Sequence, residues 1–165
     1  MYRALLLTLL PLSACASAET APESPAYEAI AFDINSWGRP MGSWEVHADG
    51  TVRHHKVEGS VFGAHKIEHR DFTIDGTAYA RLAAIAAALP QPRLKRDDCE
   101  ERAMDLPYGK LRLTRGTTEE AVDFDVGCRD ARYVAFVGQL RAMDDLVREW
   151  AEQHPVDRVE DVGGG

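Results

Sequence analysis

Ser43-Trp44-Glu45-Val46-His47-Ala48-Asp49-Gly50-Thr51-Val52-Arg53-His54-His55-Lys56-Val57 decides how the chain folds. Two runs that alternate in polarity flank Ala48-Asp49-Gly50, and a three-residue loop with Gly50 in the left-handed position closes a β-hairpin. Register tests the assignment. A three-residue loop sets Val46 opposite Val52, Glu45 opposite Arg53 and Trp44 opposite His54, so the apolar pair shares one face and the opposite charges share the other. A two-residue loop would set Val46 against Arg53 and lose both matches. Cross-strand pairs contribute ~0.2–1 kcal/mol each, which favours the longer loop.

Outward from the hairpin, Tyr27 to Ser36 alternates loosely through Ile30, Phe32 and Ile34 and reads as a strand. Trp37-Gly38-Arg39-Pro40 punctuates it. The turn from Trp37 to Met41 is expected to pack as a core edge; exposed, it would offer a partner-binding patch. His65 to Ile74 predicts a fourth strand, with a bulge where parity breaks between Ile67 and Phe72. Asp75 caps a helix whose apolar positions are Tyr79, Leu82, Ala86 and Leu89, with Pro90 after the last turn. Tyr108 to Thr114 and Glu119 to Val126 form a second hairpin. Asp130 caps a longer helix with a stripe of Val134, Val137, Leu140, Met143, Val147 and Trp150. The order β-β-β-β-α-β-β-α implies an α+β fold, an antiparallel sheet of about six strands with two helices on one face.

The N-terminus has another character. Met1-Tyr2-Arg3 is short and positively charged, and Ala4 to Leu12 is apolar apart from Thr8. That stretch is too short to cross a bilayer, which takes ~20 apolar residues. It ends in Leu12-Ser13-Ala14-Cys15, which resembles the lipobox of bacterial lipoprotein precursors: a branched apolar residue, two small residues, then Cys. Small side chains at 13 and 14 suit an extended chain in a narrow protease cleft, and the thiol is the nucleophile that takes up lipid. The resemblance implies cleavage after a signal peptide of residues 1–14 and lipidation of Cys15. It also implies the outer membrane facing the periplasm, because Ala16 stands where an Asp would signal inner-membrane retention. Residues 15–26 are then the lipidated Cys and a polar, Pro-containing tether, residues 27–153 a single domain, and residues 154–165 a disordered, acidic, Gly-ended tail.

The 165-residue chain carries a formal net charge of −8, and removal of Arg3 would make it more acidic. Such a chain repels nucleic-acid phosphate and anionic headgroups, which sets aside nucleic-acid partners and electrostatic membrane docking. With Cys15 lipidated, Cys99 and Cys128 remain. Two cysteines in an exported domain are expected to pair, clasping the base of the second hairpin. Five of the six histidines (His47, His54, His55, His65 and His69) cluster in the hairpin and fourth strand. His54 and His55 point to opposite faces, and His47 and His55 stand ~13 Å apart along one face, so no metal ligand set is assigned. Asp97, Asp98, Glu100, Glu101 and Asp105 read as a solvated acidic loop without EF-hand spacing. Asp123 and Asp125 alternate with Val122, Phe124 and Val126 and are expected to face water. No Gly-x-Ser-x-Gly nucleophile motif occurs. No catalytic residue or cofactor is assigned. The expectation is an anchored envelope module that binds or supports a protein partner rather than catalyses. The alternatives are an envelope hydrolase with a site assembled from distant strands, or a metal-handling lipoprotein using the histidine-rich strands.

Overall fold

A computed structural model describes residues 26–60 and 63–163. The expected signal peptide, Cys15 and the tether as far as residue 25 lie outside the described residues. Within them, β1 (Ala29–Ser36), β2 (Arg39–His47), β3 (Thr51–Gly59) and β4 (His65–Thr73) form a meander, followed by helix α1 (Gly76–Ala87), hairpin β5 (Tyr108–Arg115) and β6 (Thr118–Asp125), helix α2 (Ala131–Glu152) and β7 (Arg158–Val162). The sheet order is β6-β5-β1-β2-β3-β4-β7, antiparallel throughout. The architecture is α+β, with β1 near the middle of one seven-stranded sheet.

The hairpin register is Trp44↔His54, Glu45↔Arg53 and Val46↔Val52, as the three-residue loop requires. Gly50 has φ +90°, and its N–H donates to the His47 carbonyl at 2.9 Å. One sheet face carries Ile30, Phe32, Trp44, Val46, Val52, Phe72, Leu111, Leu113, Val122 and Phe124 into a single core with the helices. Phe32 stacks between Trp44 and Phe124, with centroids 5.4 and 5.2 Å apart. Gly109 makes this stack fit, since a Cβ there would lie 2.6 Å from the Phe124 ring. Asp75 caps α1 by accepting from the Ala78 N–H at 2.8 Å. The two layers are stitched by Trp44 Nε1, which donates to Asp144 at 3.0 Å, and by the Tyr79 hydroxyl, which donates to the Tyr27 carbonyl.

Four expectations are corrected. The sheet has seven strands, not six: Arg158–Val162, read as part of a disordered tail, pairs with β4 from His65↔Val162 to His69↔Arg158. Its charged side chains hide it from a hydrophobic-period reading. Backbone pairing holds it, with Asp157 accepting from the Asp71 N–H at 2.7 Å and His154 stacked on Phe72 at 4.4 Å. Second, β4 has no bulge. Its register with β3 runs unbroken from Thr51↔Thr73 to Gly59↔His65, because Ile67 simply turns to the open face opposite Val57. Third, Val134 is 51% exposed, and the buried stripe of α2 begins on Tyr133, Phe136 and Val137. Fourth, Asp130 stands at the α2 N-cap without a side-chain cap bond, because its carboxylate accepts instead from the Glu100 N–H at 2.9 Å.

His54 faces the core opposite Trp44 and is buried, with Nδ1 lacking a hydrogen-bond partner among the described residues. Burial, reinforced by Arg70 and other nearby cations, pulls its pKa from 6.5 to about 4. The unfolded chain therefore takes up a proton at this site near pH 6.5 and the native fold only near pH 4. The fold has its full stability above that window and loses it as pH falls through it. By linkage, His54 should cost about 2 kcal/mol between pH 7.5 and pH 5. Urea unfolding at these two pH values should show that much less acid loss in His54→Phe than in the wild type; equal losses would remove His54 as the cause.

Candidate functional site

The disulfide joins Cys99 to Cys128, with sulfurs 2.08 Å apart across a sequence separation of 29. Closing a loop of this length stabilises by ~3.5 kcal/mol in the chain-entropy model. It also draws the segment after α1 across the end of β6. Arg102 bridges Cys128, the Ala103 N–H donates to the Gly127 carbonyl at 2.8 Å, and the Arg129 N–H donates to the Glu101 carbonyl at 2.9 Å. Gly127 permits this approach, because a Cβ would collide with the Ala103 carbonyl oxygen.

Asp125 lies under that strap. Its alternation with Phe124 and Val126 predicts a solvated side chain, yet it is only 4% exposed. The alternation fails because β6 ends at this residue and the strap covers it. One carboxylate oxygen meets Arg96 Nε at 3.2 Å and Arg102 Nε at 3.4 Å, and the other accepts from the Gly127 N–H at 2.8 Å. The Asp125 N–H donates to the Tyr133 hydroxyl at 3.1 Å, and burial pushes the Tyr133 phenol above its ordinary pKa. Arg102 also donates to the Arg96 carbonyl at 2.6 Å. Arg96 lies over the Tyr108 ring at 5.0 Å, and the Tyr108 hydroxyl accepts from the Gly38 N–H at 2.9 Å. A chain of contacts thus runs from Asp125 to the β1–β2 turn.

Above this base opens a notch of about 230 Å³, lined by Trp37, Arg96, Arg102, Met104, Leu106 and Tyr108 among others. Trp37 is 62% exposed, Met104 77% and Leu106 45%. The turn from Trp37 to Met41 is therefore an exposed patch and not the expected core edge. Two non-glycine residues with positive φ flank the notch, Trp37 at 52° and Asp105 at 66°. Trp37-Gly38 has positive φ at both central turn positions, the geometry in which Asn-Gly is favoured. A bulky residue held there is strained, and such strain clusters at functional sites. Beside the two arginines that pair with Asp125, the notch offers aromatic and apolar contact through Trp37, Tyr108, Met104 and Leu106.

The spacing holds a signal that strand alternation misses. Arg96 and Arg102 lie three residues on either side of Cys99, and Asp125 lies three before Cys128. Given the disulfide, the three charged groups converge.

The other candidates sit elsewhere. His55 and His69 meet across β3 and β4, with ring centroids 4.4 Å apart. Burial and the His69 charge lower the His55 pKa. Three of their ring nitrogens have other partners: Ser43 Oγ lies 3.3 Å from His55 Nδ1, Glu160 3.3 Å from His69 Nε2, and the Arg158 guanidinium 3.1 Å from His69 Nδ1. His47 pairs with Glu45 at 3.1 Å, and His65 Nδ1 meets the Gly63 carbonyl at 2.9 Å. Among the described residues the one close group of three metal-type ligands is Cys99, Cys128 and Asp130, whose sulfurs form the disulfide. Asp97, Asp98, Glu100, Glu101 and Asp105 form an exposed acidic rim. Asp98 accepts from the Lys95 N–H at 2.6 Å, and Glu101 pairs with Arg129 at 3.6 Å. Asp123 faces water and pairs with Lys110 at 3.4 Å.

Compared with protein-family models and with curated proteins, the chain finds no match.

If the Trp37 backbone is strained for display, Trp37→Asn should stabilise the fold by ~0.5–1 kcal/mol, because Asn tolerates positive φ at this turn position. Urea unfolding checks this. A destabilised variant would show instead that the indole supports the fold.

Proposed function

We propose that the protein is an exported lipoprotein, anchored through Cys15 and facing the periplasm from the outer membrane, whose domain is a binding module of the cell envelope. The notch is its recognition site. The observation that carries this reading is Trp37, exposed on a strained turn above the Asp125–Arg96–Arg102 base. Trp, Met and Arg are the residue types enriched where proteins recognise one another, and here they gather on one disulfide-clasped surface.

The path of the chain supports the same reading. The domain begins at Tyr27 and enters β1 at Ala29; Trp37 follows Ser36 at the other end of that strand. Eight residues of strand span ~26 Å. A tether attached before Tyr27 would therefore hold the domain by one end of β1 and leave the notch at the other. The acidity of the chain, −8 overall, favours a standing domain over one that lies on anionic lipid.

One experiment tests anchor and site together. A photo-crosslinking residue is placed at Met104 in the wild-type chain and in Cys15→Ser, and intact envelopes are irradiated and fractionated. The anchored chain should sit in the membrane fraction and give a discrete adduct. Cys15→Ser should move to the soluble fraction and lose most of that adduct. Retention of Cys15→Ser in the membrane would overturn the anchor, and absence of any adduct from the anchored chain would overturn the site.

A further inference from the structure

The chemistry of the notch also selects its occupant. We propose that it receives a basic, apolar segment of a protein partner, an extended stretch in which lysine or arginine neighbours an aliphatic side chain. This rests on the assignment of the notch as the recognition site and adds the partner's character.

An acidic ligand is disfavoured first. Both guanidinium groups already meet the Asp125 carboxylate. Arg102 is further held by the Arg96 carbonyl, and Arg96 lies over Tyr108. An incoming oxyanion would share these two arginines with a buried carboxylate whose like charge repels it.

The surroundings favour positive charge. Residues 95–105 hold five acidic and three basic side chains. Asp97, Asp98, Glu100, Glu101 and Asp105 are all exposed, whereas two of the three basic residues, Arg96 and Arg102, face the buried Asp125. The chain as a whole adds a field of the same sign, which speeds encounter with a basic partner and repels acidic ones. Trp37 is mostly exposed, and an indole attracts lysine and arginine. Met104 and Leu106 supply an adaptable apolar wall, and a space of about 230 Å³ suits one aliphatic side chain better than a drug-sized molecule of ~300 Å³ or more.

Two other occupants fit less well. A second copy of the chain would bring −8 against −8. An anionic lipid surface meets the same repulsion, and the notch lies at the end of β1 away from Ala29, where the chain enters the sheet.

The test uses the mature chain and three labelled peptides of alternating sequence: (Lys-Leu)4, (Lys-Ser)4 and (Glu-Leu)4, each capped at both ends. Binding is read by fluorescence anisotropy at physiological salt for the wild type, Trp37→Asn and Met104→Ser. Both substituted positions are exposed, and thermal melting confirms folding. The Lys-Leu peptide should bind the wild type at least ~10-fold more tightly than Lys-Ser. It should lose at least ~10-fold in each variant, as truncation of an interface anchor does. The Glu-Leu peptide should not bind. Equal binding of Lys-Leu and Lys-Ser, unchanged in the variants, would overturn the proposal in favour of general charge attraction. Glu-Leu binding that depends on Trp37 would overturn the partner's charge and leave the recognition site standing. Failure of all three peptides would overturn the basic-apolar partner, while the adduct at Met104 reports separately on the site.

Discussion

The Asp125 carboxylate lies at the end of β6 beside two guanidinium groups and a backbone N–H, and this end of the domain is arranged around that contact. A carboxylate removed from water without partners costs several kcal/mol. Here Arg96 and the Gly127 N–H supply charge-assisted hydrogen bonds, which are the stronger kind, and Arg102 adds an ion pair at 3.4 Å. The constraint acts outward as well. Arg102 is tied to Arg96, Arg96 positions Tyr108, and Tyr108 holds the turn that displays Trp37. The disulfide limits where residues 96–107 can go, and the carboxylate sets how they sit.

The rest of the fold is a rigid base for this arrangement. The Trp44–Phe32–Phe124 stack and the helix stripes form a two-layer core in which β1 is central, so its far end is well fixed. The open face of the sheet neutralises itself through cross-strand pairs such as Arg112–Asp33 at 2.8 Å and Lys110–Asp123 at 3.4 Å. At the notch, Trp37, Met104 and Leu106 reach solvent together.

Much of the architecture was legible from residue patterns, and the exceptions have physical causes. The Ala48-Asp49-Gly50 hairpin could be read because register pairs Val46 with Val52 and Glu45 with Arg53 at once. Helix α1 could be read because Asp75 and Pro90 mark its ends. By contrast, β7 is held by edge pairing and not by burial, so Arg158–Val162 shows no apolar alternation. Val134 was misassigned because a stripe can be drawn through it as well as through Tyr133, and only the sheet beneath α2 decides between them. Of the site, the Cys99–Cys128 pair was legible from cysteine number. The burial of Asp125 was not, because alternation describes a strand's interior while this residue ends one under a strap from distant sequence. Whether Trp37 packs or projects likewise depends on a tertiary contact, the Tyr108 hydroxyl at Gly38.

The central claim is that the Asp125 carboxylate, beyond the disulfide, orders the strap beneath the notch. Amide hydrogen exchange in Asp125→Asn with the disulfide intact tests it most directly. The Ala103 and Arg129 amides, which bond across the strap, should exchange at least ~10-fold faster than in the wild type, while Val46 and Val52 in the central hairpin keep their protection. Unchanged protection at Ala103 and Arg129 would contradict the account and leave the disulfide alone as the organiser of the site.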